Sequence, residues 1–202
     1  MRPYLGKGIP EMGLIPIDPF KIRNLTSHVG SSDINLDLQI IDAMIYNLSN
    51  FTVSSLDIHF ESGELGVNFE LDNVDIEGNY ILKGKVLTFT IDGKGVFTFN
   101  ATGVSAVSKW FGVLYTKNGQ EHLNFTEMRC KININDMRLH AYDLFEGNDV
   151  LTETVNQIIN DNIQELKNDF DVVVEELIGN LTLEYFFGIY DKFPIKVLFP
   201  VD

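Results

Sequence analysis

The chain has 202 residues, 45% of them hydrophobic and 22% charged, enough to bury about 70% of the unfolded surface in one large core or two small ones. Its net charge of −14 repels phosphate backbones and anionic lipid headgroups, which argues against nucleic acid and against polybasic membrane docking. A single cysteine, Cys130, rules out a disulfide within the chain, and no apolar run reaches the roughly 18 residues of a membrane-spanning helix.

The start, Met1-Arg-Pro-Tyr-Leu-Gly6, lacks the apolar stretch of a secretion signal. From about residue 20 to 145 the hydrophobic pattern has period two. Ile34, Leu36, Leu38 and Ile40 alternate with Asn35, Asp37 and Gln39. The same alternation runs through Leu56, Ile58 and Phe60, through Leu65, Val67, Phe69 and Leu71, and through Leu87, Phe89 and Ile91. Each run has one apolar and one polar face, as a half-buried antiparallel strand requires. Turns are expected at Ser62-Gly63, Glu77-Gly78-Asn79, Asp92-Gly93-Lys94-Gly95 and Lys117-Asn118-Gly119-Gln120. Several runs are long, which suits a large, strongly bent sheet.

From Asp149 the period changes to three and four: Leu151, Val155, Ile158, Ile159, Ile163, Leu166, Phe170, Val173, Val174, Leu177, Ile178 and Leu181 recur among Glu, Asp, Asn, Gln and Lys. This is an amphipathic helix with a continuous apolar stripe, capped by Asn148 or Asp149. Over 149–179 it would extend about 45 Å at 1.5 Å per residue, longer than a small domain is wide. Only the sheet is available to cover it. The expected fold is therefore α+β, a strongly curved antiparallel sheet wrapped around one long C-terminal helix, in a single domain over residues 1–202 with no repeat or linker.

No catalytic constellation emerges. His28, His59, His122 and His140 are scattered, without metal-ligand spacing. Gly103-Val-Ser105-Ala-Val lacks the second glycine of a nucleophile elbow. Gly6-Lys-Gly8 and Gly93-Lys-Gly95 are too short for phosphate loops, and the second reads as a hairpin turn. Asp72, Asp75 and Glu77 miss the calcium-loop pattern. Cys130 lies between Arg129 and Lys131, whose charges favour the thiolate, yet it has no neighbouring base and reads as structural. No enzyme, cofactor or metal is expected. The aromatics, 15 Phe, seven Tyr and one Trp, are concentrated enough to line an interior that a single helix face cannot fill. Six N-x-S/T sequons begin at Asn24, Asn47, Asn50, Asn100, Asn124 and Asn180 and point toward a secreted glycoprotein.

Three segments resemble one family. Gly6-Lys-Gly-Ile-Pro-Glu-Met-Gly-Leu-Ile-Pro-Ile-Asp-Pro-Phe20 is similar to the opening signature of the insect juvenile hormone-binding and takeout proteins. Asp92-Gly-Lys-Gly95-Val-Phe-Thr-Phe99 resembles a hairpin of that family. Leu144-Phe-Glu-Gly-Asn-Asp-Val-Leu151, Asn156-Gln-Ile-Ile-Asn160-Asp-Asn162 and Lys192-Phe-Pro194 through Pro200 resemble its C-terminal pattern. The matches span nearly the whole chain in order. The resemblance implies a tubular lipid-binding fold with an internal apolar tunnel. It also implies a monomeric, extracellular insect carrier of juvenile hormone, fatty acid or a similar lipid, tied to feeding, circadian output or hormone titre. The resemblance implies a signal peptide and a cysteine-bearing helix ahead of Gly6; their expected absence reads as a truncated sequence or a cytosolic isoform, and without the disulfide stability would be lower by roughly 2–4 kcal/mol. Where the family has Trp after Asn-x-Asn, this chain has Ile163.

The expected ligand-binding residues are Phe69, Phe89, Phe97, Trp110, Tyr115, Phe125, Val155, Ile159 and Phe170, with Tyr115 or Trp110 placed to hydrogen-bond a polar group at one end of the ligand. The partner is a small hydrophobic molecule, with no stable membrane insertion. The alternatives are an interaction or signalling protein whose tunnel is filled by side chains, an enzyme acting on lipid, and a lipid-transfer protein working at a membrane.

Overall fold

The computed structural model describes residues 6–12, 14, 16–30, 34–59, 62–164, 167, 171, 174–175, 178–179, 182–183 and 189–198. Six antiparallel strands form one sheet: β1 (Phe20–Gly30), β2 (Ile34–Tyr46), β3 (Thr52–His59), β4 (Glu64–Val86), β5 (Phe89–Lys117) and β6 (Gln120–Ala141). The order is β1-β2-β4-β5-β6, and β3 also pairs with β4. β2 pairs with residues 75–86 of β4 and β3 with residues 64–70, so the two lie end to end along one edge of the same strand. A straight strand of the 29 residues of β5 would run to about 95 Å at 3.3 Å per residue. Strands of that length twist and coil, and the sheet becomes a half-barrel with an apolar inner face. Helix α1 (Asp149–Asp161) packs on that face, described residues beyond it such as Ile163, Val174 and Ile178 are helical, and a short helix, α2, spans Ile195–Leu198.

The expected α+β fold is the observed one, with three local differences. First, Glu77-Gly78-Asn79 and Asp92–Gly95 are not turns. Both lie inside long strands, and their glycines let backbones approach. A Cβ on Gly78 would sit 2.8 Å from the Cα of Ala43, and one on Gly93 or Gly95 would sit 2.7 or 2.4 Å from the carbonyl oxygen of Leu144 or Tyr142. Second, the β4–β5 turn falls on Leu87-Thr88, inside the run read as one strand, with Val86 paired to Phe89 and Leu87 at φ 52°. The Asn118-Gly119 turn is as expected: both residues have positive φ, the conformation that matches strand twist in a two-residue hairpin. Third, Asn162 interrupts the helix after Asp161. Its backbone N–H and its side-chain amide both turn back onto the Ile158 carbonyl, the local competition that makes Asn a helix terminator. Helical backbone resumes at Ile163.

Side-chain amides fix the helix to the sheet. β6 is an outer strand of the order, so the backbone groups on its far side need partners. Asn156 Oδ1 accepts from Ala141 N–H at 2.9 Å, and Asn156 Nδ2 donates to the Ala141 carbonyl at 2.9 Å. Asn160 repeats the arrangement on Leu139, at 2.9 and 2.7 Å. Four helical residues rise about 6.0 Å and two strand residues about 6.6 Å, so amides at i and i+4 of a helix can pair with peptides at j and j−2 of a strand. Asn156 is 3% exposed, and this pairing is what lets a polar side chain lie in the core.

Candidate functional site

The inner face divides into three clusters along its length. At one end Val155 and Ile159 of α1 pack with Tyr80, Val86, Ile91 and Phe97, closed by a strap over residues 141–147. The strap is held by Tyr142 N–H to the Val96 carbonyl at 2.9 Å and by the Tyr80 hydroxyl, which donates to the Tyr142 carbonyl at 2.5 Å. Burial pushes the Tyr80 phenol up to about 12, so it remains a donor. Asn148 caps the helix, accepting from Leu151 N–H at 3.1 Å.

At the other end Leu65, Ala106, Trp110, Leu123, Phe125, Met128, Cys130 and Ile132 form a second core with Val174, Ile178 and Tyr190 packed against it. Trp110 meets Phe125 edge to face, and Phe125 meets Tyr190 in the same way. The chain near residue 191 is clasped to the β5–β6 hairpin. The Tyr115 hydroxyl and Lys117 Nζ each donate to the Asp191 carboxylate at 2.8 Å. These bonds, Lys117 first, hold the Asp191 carboxyl below its ordinary value. His122, 4% exposed, lies 3.2 Å from the Tyr190 carbonyl.

Between the two cores, among the described residues, Ala101, Met137 and Ile163 are buried together, with Phe99, Val104, Ile134 and Leu139 packed against them. Inner-face residues of β5 run Phe97, Phe99, Ala101, Val104, Ala106, Ser108 and Trp110, so small side chains from Ala101 to Ser108 stand between aromatic ones. Val104, Ile134, Phe69 and Leu71 face inward yet are only half-buried. Among the described residues of β4, β5 and β6, this middle stretch is where inward-facing side chains are least buried. Two grooves of about 380 and 590 Å³ lie elsewhere, the first lined by Asp75, Glu77, Asn100 and Arg138 among others and the second by Asp149, Glu153, Asn156 and Gln157 among others; both have charged residues in their walls and lie open to solvent, unlike an enclosed apolar site.

The nine expected ligand residues therefore divide. Phe97, Val155 and Ile159 are in the first core and Phe89 packs against it. Trp110 and Phe125 are in the second, with Phe69 packed against it. Tyr115 is in the clasp. Phe170 lies outside the described residues. The polar groups offered to a ligand have protein partners. Trp110 Nε1–H donates to Ser108 Oγ at 3.1 Å, and an indole has no second N–H. The Tyr115 hydroxyl proton goes to Asp191. Sequence reasoning overlooked Ala101, Val104 and Ala106; the signal was a run of small side chains at inward positions between two aromatic ones.

The remaining candidates resolve locally. Burial raises the Cys130 thiol to about 11 and outweighs the neighbouring Lys131 charge expected to lower it. His28 pairs with Asp37, His59 with Asp57 and His140 with Glu153. Among the described residues no three His, Cys, Asp or Glu side chains cluster as a metal site, and no helix is long and apolar enough to cross a membrane. Asn24, Asn50 and Asn100 are exposed and Asn124 is half-buried. Asn47 is half-buried as well, and its amide shares Asp75 with that of Asn100, at 2.8 and 2.6 Å. Asn180 lies outside the described residues.

The family of haemolymph juvenile hormone binding proteins matches residues 1–200. The chain belongs to this family. Its members are binding proteins rather than enzymes, known for carrying lipids and hormones. The chain is similar to the circadian clock-controlled protein daywake of Drosophila yakuba, 22% identical over 201 residues, which covers 90% of this chain and 77% of that protein. Its fold matches the crystal structure of Epiphyas postvittana Takeout 1 with a TM-score of 0.86 at 18% identity, over 96% of this chain and 89% of that one.

Proposed function

We propose that this chain is an extracellular, monomeric carrier for a long, narrow apolar molecule such as a fatty acid or a terpenoid hormone, held in the middle of the trough. Family membership supports the ligand class. The observation that carries the location lies between two filled cores, where Val104, Ile134, Phe69 and Leu71 face inward and are only half-buried, beside Ala101 and Met137 and up to Ala106 at the border of the second core. Burial there releases about 25 cal/mol per Å² of apolar ligand surface, enough for micromolar or tighter affinity after ordering costs. The amide of Asn156 and the indole of Trp110 are spent on protein partners, so the main attraction is apolar contact. Glycans at the exposed sequons would suit a secreted protein.

The test is uptake of an anthroyloxy-labelled stearate by the purified protein. Wild type is expected to bind with a blue-shifted, saturable signal. Ala106→Trp obstructs this stretch and is expected to weaken binding by at least about tenfold, or 1.4 kcal/mol. If Ala106→Trp binds as wild type does, the ligand lies elsewhere. If wild type takes up neither this probe nor a terpenoid, an interaction protein with a filled interior is the better reading.

A further inference from the structure

Three straight rows of side chains cross the second half of the sheet, from β3 to β6, on the inner face. They are Val53–Phe69–Ala106–Ile132, Leu56–Val67–Ser108–Cys130 and Ile58–Leu65–Trp110–Met128. Paired residues in antiparallel strands share a face, and Phe69, Val67 and Leu65 all face the second core. Val53, Leu56 and Ile58 are spaced three and two apart, which strict alternation forbids. A bulge between Val53 and Ser55 absorbs the extra residue and turns all three inward.

The first two rows run from wet to dry. Leu56 is 58% exposed and Val53 45%, their neighbours Val67 and Phe69 are half-buried, and Ser108 and Ala106 beyond them are buried at 1% and 5%. The other valines that are exposed within strands, Val96, Val107 and Val113, pair with the polar residues Asn79, Asn68 and Asn124 and belong to the outer face. Val53 and Leu56 are therefore exposed on the face that elsewhere forms the core, and the Val53 row passes through Phe69 to Ala106, one of the small side chains of β5.

We propose that the β3 rim is the portal of the carrier: the apolar ligand crosses sideways over Val53 and Leu56 and slides along Phe69 and Val67 to the half-buried stretch beside Ala106. The proposal rests on the carrier reading and adds the route. A continuous apolar ramp lets a water-insoluble chain leave solvent a few methylenes at a time, so no step exposes the whole ligand or requires the closed end to open. At the first core the strap and the asparagine pairs hold a completed interior together. The rim needs no such opening, because among the described strands β3 pairs with β4 alone.

The experiment is stopped-flow uptake and release of the same labelled stearate by Val53→Gln/Leu56→Gln, with Val107→Gln as an outer-face control of similar exposure. Glutamine is neutral, so the electrostatics of an anionic probe are unchanged, and both sites are solvated enough to accept it. Because a portal is crossed in both directions, association and dissociation should slow together by about five- to tenfold, with Kd within about twofold of wild type. Leu56→Ala should fall between, and Val107→Gln should match wild type. Rates equal to wild type in the double variant, with binding still weakened by Ala106→Trp, would overturn the portal and leave the carrier intact. A loss of affinity with an unchanged association rate would also overturn it, because Val53 and Leu56 would then be ligand contacts. Failure of wild type to bind any probe removes both readings.

Discussion

The two ends of the trough are fastened by different chemistry. At the first, Asn156 and Asn160 spend neutral amides on the backbone of β6, and the strap is tied by a buried phenol and a peptide N–H. At the second, the clasp is ionic and part-exposed, with Lys117 and Asp191 side chains 42% and 47% exposed. A buried neutral hydrogen bond is expensive to leave unmade, whereas an exposed ion pair is screened and worth little. The first end should therefore be rigid and indifferent to pH, and the second should loosen first. A carrier needs both properties, one end that keeps the helix in register and one region that yields.

Asn156→Ala should have the largest effect on that comparison. It leaves the buried N–H and C=O of Ala141 without partners and should cost about 2–5 kcal/mol in a denaturant titration. A loss below about 1 kcal/mol would mean that the amide pairing follows helix packing instead of enforcing it. Next comes Gly95→Ala, whose new Cβ would meet the Tyr142 carbonyl oxygen at 2.4 Å. Overpacking of that kind costs about 1–3 kcal/mol, read as a lowered melting temperature, and the strap should lose hydrogen-exchange protection. If protection at residues 141–147 is unchanged, the strap is not what closes that end.

The smallest effect belongs to the clasp and should be visible only in acid. Pairing lowers the Asp191 carboxyl, so its stabilisation is complete above the pKa of an unfolded aspartate and is lost as pH falls through the folded value. Exchange measured from neutral pH down to about pH 3 should show residues 189–192 losing protection before residues 139–141 do. Asp191→Asn should remove most of that difference by loosening the clasp at every pH. Equal loss at both ends, or an unchanged profile in the variant, would show that the ends are not fastened differently.

Much of the fold was readable along the chain because strand and helix periods are local properties. The alternation over 34–40 and 65–71, the Asn118-Gly119 hairpin and the helix start at Asn148 all appear where short-range pattern puts them. The misreadings share one cause. Gly78, Gly93 and Gly95 read as turns because glycine permits turns, but it also permits a second backbone to lie close, and only the folded chain supplies that backbone. The Leu87-Thr88 turn has no glycine, proline or asparagine to mark it; the register of β4 against β5 decides it.

The candidate site was less readable for the same reason. Hydrophobic pattern identifies residues that face inward, but whether an inward face is filled depends on what stands opposite. Nine residues were expected to line one tunnel, and those described fall into two filled cores and a clasp, while half-buried Val104, Ile134 and Leu71 mark the stretch between them. Sequence by itself determined a wide curved sheet with one apolar face, a helix to cover it and the family to which both belong, because these rest on composition and short periods. Tertiary structure alone decided that Asn156 and Asn160 replace a strand at the edge of β6, that Trp110 and Tyr115 have given their protons to the protein, and that Val53 and Leu56 face inward in water. Each of these depends on a partner tens of residues away or on the empty space beside it, which local pattern does not encode.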